Sequence, residues 1–280
     1  MSSSLTPASD LSRTPVPRES PTRLVFQMAL RDVSVLFRTP WIIITRGLAF
    51  VIQLFVFAYL ISGLIHVPGL NFFQYYAVGS VVATIASISF VIGYDIFEEA
   101  EEGVLDYLLT LPISRRQFII GRALGGALRA IIYIIPMFLV VAFIEGFAQP
   151  LSILSALLSL FLLAFGVTGM SITVAVSVKS ANRFDVVLAL LELAVSRGST
   201  ALYPIAFMPL YVSVFAPFSP VSFAADSARA SLVGFSLDLP AIAGLVAFVV
   251  VFLGLGPRSI SAVLRGEFTL EQHPTDSVDH

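Results

Sequence analysis

The chain has 280 residues, of which 57% are hydrophobic and 12% are charged, and its formal net charge is -2. Soluble globular chains carry about 25% charged residues, so this composition excludes an ordinary soluble domain. Several apolar runs approach the ~20 residues that a helix needs to cross a bilayer, and the ~10-residue alternation of a transmembrane barrel is missing. With no cysteine and with its three histidines outside the apolar runs, this all-α membrane protein is expected to hold no metal and no cofactor of its own.

The N-terminal region divides into a tail and a helix. Residues 1–22 are rich in Ser and Pro and lack the apolar core of a signal peptide, which is typical of a disordered cytoplasmic tail. In residues 23–40, polar side chains recur at three- and four-residue steps, at Arg23, Gln27, Arg31, Ser34 and Arg38. This single polar stripe predicts an interfacial amphipathic helix that ends at Pro40. The alternative is the first turns of a long spanning helix.

Residues 41–265 form the predicted transmembrane domain of six helices. We expect the spans at about 47–65, 73–93, 114–144, 151–178, from 186 onward, and 239–255. Pro136 interrupts the third span, where a kink is expected. The stretch 200–232 is broken by Pro204, Pro209, Pro217 and Pro220 among aromatic residues. These breaks indicate a re-entrant segment before the last span. After the transmembrane domain, residues 266–280 are predicted to form a second cytoplasmic tail.

Positive charges give the predicted orientation of these spans. Arginine and lysine are concentrated in the two tails and in the loops on one side, whereas the loops of the opposite side have only Arg229. Loops rich in these residues stay in the cytoplasm. The sequence therefore predicts a multi-pass protein of the cell membrane with both termini in the cytoplasm.

A polar segment at residues 95–117 interrupts the apolar runs between the second and third predicted spans. It has acidic residues at one end and leucines at the other. Pro112 ends its first half, and Ser114 followed three residues later by Gln117 has the form of a capping box, which predicts a new helix. The residues alone are equally compatible with a short helix that docks onto a partner and with a solvated loop whose leucines return to the bilayer.

This segment resembles the first cytoplasmic loop of the type-2 permeases of ATP-binding-cassette exporters. Those loops show Glu, Gly, an acidic residue with leucines, a Pro-Ile/Val-Ser-Arg turn and a Gly-Lys/Arg pair. The matching positions are Glu101, Glu102, Gly103, Asp106, Leu108, Pro112, Ser114, Arg115, Gly121 and Arg122. A second stretch, 216–229, is similar to the family's Asn-Pro-Leu-Thr-Tyr-x-x-Asp-x-x-Arg motif, with Ser219 in place of Asn.

The resemblance implies that two permease copies form the pathway and that a coupling helix in each copy contacts a separate ATPase subunit. That subunit would hold ATP and Mg²⁺, because this chain has no Gly-x-x-x-x-Gly-Lys-Ser/Thr phosphate loop. Membrane lipids are further expected partners, and nucleic acid is not. The coupling residues implied are Glu101, Glu102, Gly103, Leu105, Tyr107, Leu108, Pro112, Ser114 and Arg115.

Four ionisable residues in the second half of the chain are further candidates. Glu192 and Arg197 lie in the predicted fifth span, where charged groups are functional candidates by default. They are five residues apart, which places them poorly for a helical i,i+4 pair. A substrate contact and a structural ion pair are both compatible with the sequence, and Arg197 departs from the small, apolar family pattern. Asp226 and Arg229, at i,i+3, predict a local pair in the outer segment.

Three function classes remain open at this point. The resemblance favours the permease subunit of an exporter, and relatives of this architecture handle drugs, lipids, peptides and glycans. An ion-coupled secondary transporter needs membrane carboxylates, for which Glu192 is the one candidate. A membrane-embedded transferase or hydrolase is disfavoured by the scarcity of histidine and the lack of cysteine in the spans.

Overall fold

The computed structural model describes residues 21–38, 40–63, 71–103, 114–145, 149–178, 180–233 and 236–264. The described part of the chain consists of helices and turns without a strand, so the predicted all-α class is confirmed. Apart from the start of the first helix, both predicted tails lie outside these residues. In chain order the α-helices are α1 (Pro21–Arg38), α2 (Pro40–Gln53), α3 (Tyr59–Ser62), α4 (Phe72–Glu101), α5 (Arg115–Ile144), α6 (Pro150–Ser177), α7 (Ala181–Glu192), α8 (Leu210–Ser213), α9 (Pro220–Leu232) and α10 (Leu239–Leu264).

Four of the described helices, α4, α5, α6 and α10, are long and apolar enough to cross a membrane. The 30 residues of α4 correspond to about 45 Å of helix, whereas the hydrocarbon core of a bilayer is about 30 Å thick. α4 therefore extends well beyond the predicted end near residue 93. α5 has the predicted bounds and remains helical through Pro136.

The first and fifth predicted spans are shorter and irregular. α2 and α3 are joined by a π-helical turn at Leu54–Ala58, and the apolar stretch of this region is Ile43–Phe57. α7 has 12 residues and continues into a second π-helical turn, Leu193–Arg197. Short helical turns then lead to α9, as expected for a broken segment. The described residues thus hold four candidate spans, and the count of six stays a prediction.

α5 runs antiparallel to α4, whereas α6 and α10 run parallel to α4, so the molecule has two distinct ends. Gln74 near the start of α4 donates a hydrogen bond of 2.8 Å to Glu145 just after α5. Ser171 in the second half of α6 donates to the carbonyl of Phe90 in the second half of α4. We call the end where α4 stops and α5 starts the loop end, because segment 104–113 leaves there. The opposite end is the far end.

α1 packs against the first half of α5 through two glycines. A Cβ atom built on Gly125 would lie 3.0 Å from the Cα atom of Ala29, and one on Gly121 would lie 3.3 Å from the Cβ atom of Met28. Small residues at four-residue spacing allow such a close approach. α1 ends at Arg38 and α2 begins at Pro40, where a proline is compatible with the first helical position. That α1 lies in the membrane interface stays a prediction.

Candidate functional site

The first half of the polar segment is a helical extension of α4. Glu101 is the last residue of this helix and Glu102 caps it, and both are exposed. Gly103 follows with a φ of +73°, the left-handed conformation that glycine adopts without a steric penalty. The acidic stretch that starts at Asp95 thus continues the second span as a helix, and the chain turns at Gly103.

The second half of the polar segment starts α5 as predicted. The backbone N–H of Gln117 donates to the Ser114 hydroxyl at 3.3 Å, and the backbone N–H of Ser114 donates to Gln117 Oε1 at 2.8 Å. This reciprocal pair is the expected capping box. Arg115 follows in the first turn. The other predicted coupling residues, outside the described part of the chain, are Leu105, Tyr107, Leu108 and Pro112. The coupling helix itself therefore stays a prediction.

One buried guanidinium joins three helices at the base of this segment. Arg122 Nη1 donates to Asp32 Oδ1 of α1 at 2.5 Å, and Nη2 lies 3.2 Å from Glu99 Oε2 of α4. Arg31 of α1 donates to the other oxygen of Glu99 at 2.8 Å. The side chains of Arg122 and Asp32 are only 3% and 6% exposed. We call these four residues the loop-end network.

Burial dominates the electrostatics of Asp32. It raises the pKa of this carboxyl from 3.8 to about 6, with a smaller upward effect of Glu99, although Arg122, Arg129 and Arg31 act to lower it. Its Oδ2 atom is buried without a hydrogen-bond partner among the described residues. A buried ion pair adds little net stability, but removing one partner is strongly destabilising. The loop-end network therefore fixes the relative position of α1, α4 and α5.

A second ion pair lies further along the same two long helices. Arg129 Nη1 of α5 donates to Asp95 Oδ2 of α4 at 2.7 Å. The sequence interpretation assigned no role to this pair or to Asp32. Two signals were available: Asp32 is the one acidic residue of α1 and lies off its polar stripe, and Arg129 lies inside an apolar run. The pairing itself depends on how the helices are packed, which the sequence pattern does not define.

The two predicted pathway residues do not pair with each other. Glu192 is half-buried at the end of α7, and Arg197 is exposed at the end of the π-helical turn. Between these two described side chains there is no ion pair, so the structural alternative of a direct pair is not observed. π-helical turns often occur at functional sites. The role of Glu192 and Arg197 in a substrate pathway stays a prediction.

At the far end, Arg229 connects the broken segment to α4. Its Nη1 atom lies 3.3 Å from Asp226 Oδ1, which confirms the predicted local pair. Its Nη2 atom also donates to the carbonyls of Tyr75 and Ala201, and the guanidinium lies 3.5 Å from the centre of the Tyr75 ring. The Tyr75 hydroxyl in turn donates to the carbonyl of Thr200. Arg229 thus holds the turn after the second π-helical turn against the start of α4.

The broken segment packs very closely on α4 at Gly79. A Cβ atom built there would lie 1.6 Å from the carbonyl oxygen of Ala201, so only glycine fits. The turn that contains Ala201 is also held by α9, because the backbone N–H of Thr200 donates to the Ser222 hydroxyl at 2.9 Å. We call Tyr75, Gly79, Ala201, Ser222 and Arg229 the far-end cluster. Sequence reasoning identified only Arg229 of this set.

Comparison with known families assigns both ends to one domain. Residues 23–233 match the family model described as ABC-2 type transporter. This range contains both the loop-end network and the far-end cluster. A comparison with curated proteins found no match to the chain.

Proposed function

The chain belongs to the ABC-2 type transporter family of membrane permeases, and we propose that it forms the export pathway of a transporter driven by a separate ATPase. The observation that carries this proposal is the family match over residues 23–233, which includes the segment between α4 and α5. ATP and Mg²⁺ would be bound by the ATPase subunit. The substrate would be a drug, lipid, peptide or glycan.

We propose that segment 104–113 is the contact with the ATPase. Its helical base supports this role, because α4 reaches Glu101 and α5 starts immediately after Ser114. Arg122 connects both of these helices to α1 through Glu99 and Asp32. A displacement of the segment would therefore move the three helices together rather than bend a flexible loop. In this proposal Leu105, Tyr107 and Leu108 form the contact, with Glu101 and Glu102 at its rim.

The proposed transporter contains two copies of the chain in the cell membrane, with both termini in the cytoplasm. Large apolar side chains on the two irregular helical regions support a further membrane-embedded contact. The side chains meant are exposed in the single chain, and they are Phe55, Val56, Tyr59, Leu60, Val186, Leu190 and Leu193. The mass of the purified complex in detergent tests the copy number, and a single permease per complex would contradict this part of the proposal.

The ATPase contact is tested by co-expressing the chain with a candidate ATPase and introducing Leu105→Asp or Leu108→Asp. We expect co-purification of the ATPase and transport-coupled ATP hydrolysis to fall at least tenfold, because a carboxylate in an apolar contact is desolvated without a partner. The thermal unfolding midpoint of the permease alone should be unchanged.

A matched control is Leu237→Asp. Leu237 is exposed and precedes α10 at the far end, so the same substitution should leave both assembly and hydrolysis unchanged. If Leu105→Asp and Leu108→Asp behave like Leu237→Asp, the docking proposal is wrong. Transport that persists without any ATPase would instead favour the ion-coupled transporter.

A further inference from the structure

The loop end contains a cavity that is separate from the loop-end network. It has a volume of about 460 Å³ and lies between the start of α5 and the end of α10. The two helices are in close contact here, since a Cβ atom built on Gly256 would lie 2.8 Å from Ile119 Cδ1. The described residues that line the cavity are Ser114, Arg115, Arg116, Leu253, Gly254, Pro257 and Arg258.

The charged wall of this cavity has one sign. Arg115 and Arg116 come from α5, Arg258 comes from α10, and no described acidic residue is part of the lining. Three guanidinium groups from two different helices therefore border one space. A cavity bordered by charges of one sign attracts ligands of the opposite sign, so this lining favours an anionic ligand.

The chemistry of the side chains narrows the class of anion. Guanidinium groups are planar, with several donors in a fixed arrangement that suits the oxygens of a phosphate. Two of the three, Arg116 and Arg258, are exposed, so a ligand at the membrane surface can reach them. A volume of about 460 Å³ is within the ~300–1,000 Å³ of typical small-molecule pockets. The cavity is therefore large enough for a phosphate with an attached organic group.

The remaining wall is apolar and continues into a candidate span. Leu253, Gly254 and Pro257 belong to α10, whose residues Leu239–Arg258 form one of the four helices able to cross a membrane. A ligand in this cavity thus has basic groups on one side and a membrane-facing apolar helix on the other. Basic pockets between membrane helices are suited to the headgroups of anionic lipids.

We propose that this cavity binds the phosphate of an anionic phospholipid at the membrane surface. The three arginines hold the phosphate oxygens, and Leu253, Gly254 and Pro257 contact the glycerol and the first acyl carbons. The bound lipid connects the start of α5, which follows the proposed ATPase contact, to α10. This site does not depend on the ATPase, so it can be tested on the permease alone.

The test is native mass spectrometry of the full-length chain in a mild detergent with added phosphatidylglycerol or phosphatidylcholine. We expect one phosphatidylglycerol to be retained per chain in preference to phosphatidylcholine. Arg116→Gln with Arg258→Gln should weaken retention at least tenfold, since each basic residue at a membrane surface contributes about fivefold to binding of an anionic lipid. Arg116→Lys with Arg258→Lys should recover part of the loss.

Two further variants separate the cavity from general surface charge. Gly254→Leu fills the cavity without a charge change, and a Cβ atom built on Gly254 has no heavy atom within 4 Å, so the helix packing is preserved while lipid retention is lost. Arg183→Gln removes an exposed arginine near the start of α7 that is not part of the lining, and it should retain the lipid. Thermal unfolding midpoints measured without lipid verify that each variant is folded.

Several outcomes would overturn the proposal. Equal retention of both lipids by the unaltered chain would exclude selection of an anionic headgroup. Loss in the arginine variant with full retention in Gly254→Leu would place the lipid outside the cavity. Full retention in the arginine variant would exclude the phosphate contact. The bound phosphate could belong to a lipid headgroup or be free inorganic phosphate, and added inorganic phosphate at millimolar concentration distinguishes the two. The proposal expects that it does not displace phosphatidylglycerol. Complete displacement would identify the site as one for free phosphate.

Discussion

The two ends of the molecule hold their helices together by different means. At the loop end, charged side chains that are distant in sequence pair across three helices, with Arg122 between Asp32 and Glu99. At the far end, Arg229 donates to the carbonyls of Tyr75 and Ala201 as well as to an acid. The loop-end pairs join three helices to one another, whereas the far-end contacts hold one turn of the backbone against the start of α4. The loop end therefore suits a part that moves as a unit, and the far end suits a fixed anchor.

α4 connects these two ends. It is helical from Phe72 to Glu101 without interruption, so it contributes Tyr75 and Gly79 to the far-end cluster and Glu99 to the loop-end network. A shift of its C-terminal end would be transmitted along the helix to the broken segment. The contrast between an end that moves as a unit and an end that is a fixed anchor can be tested by substitutions on each side.

The largest effect is expected from Arg122→Met. This substitution removes the cation but leaves Asp32 buried, which typically costs about 3–5 kcal/mol. The apparent free energy of unfolding, measured by titration with a denaturing detergent, should fall by that amount at pH 7. Arg183→Met, at an exposed position, is the matched control and should change stability by less than about 0.5 kcal/mol.

The double substitution Arg122→Met with Asp32→Leu sharpens this result. Because no uncompensated charge is then buried, most of the lost stability should return. A double variant as unstable as Arg122→Met alone would mean that packing around the guanidinium, rather than the ion pair, holds the loop end together.

A smaller effect is expected at the far end from Gly79→Ala. The added methyl group would overlap the carbonyl oxygen of Ala201, which lies 1.6 Å from the ideal Cβ position, and such overpacking costs about 1–3 kcal/mol. Gly254→Ala is the matched control, since no heavy atom lies within 4 Å of its Cβ position. If both variants unfold at the same temperature, the far end can shift away from α4 and is not a fixed anchor.

Much of the fold follows from the sequence because its signals are local. Apolar length predicted α4, α5, α6 and α10, and the Ser114 capping box marked a helix start that the structure confirms. α4 and α10 continue past the predicted ends of their spans, near residues 93 and 255, to Glu101 and Leu264. Helices can continue past the bilayer, so hydrophobicity defines the span rather than the helix.

The site was predictable only in part, because its contacts are distant in sequence. Asp32 and Arg122 are 90 residues apart, and no local pattern predicts that they meet. Asp226 and Arg229 are three residues apart, and that pair was predicted. The hydrogen bonds from Arg229 to backbone carbonyls were not predicted, because every residue has a carbonyl and the residue type does not show which one accepts.

A pH dependence of about 1 kcal/mol is expected at the loop end. The pKa of Asp32 is about 6 in the folded chain against 3.8 for an isolated carboxyl. A raised acid pKa favours the folded state most at low pH, and that contribution is lost as the pH rises through 6. Between pH 5 and pH 7 the chain should therefore lose about 1 kcal/mol of stability that Asp32→Asn does not lose. Denaturant titrations at both pH values measure this difference, and parallel curves for the two proteins would show that Asp32 does not titrate in this range.

The smallest effect is expected from Arg31→Ala, although Arg31 and Arg122 contact the same carboxylate. The Arg31 side chain is 52% exposed, so water and salt screen its pair with Glu99, and such pairs contribute about 0.2–1 kcal/mol. Glu99 also keeps Arg122 as a partner when Arg31 is removed. Denaturant titrations at 50 mM and 500 mM salt should show a small loss that disappears at the higher concentration, while the loss in Arg122→Met persists. If Arg31→Ala loses as much stability as Arg122→Met, the contribution of an ion pair in the loop-end network does not depend on its burial. The exposed pair would then hold α1 as firmly as the buried one.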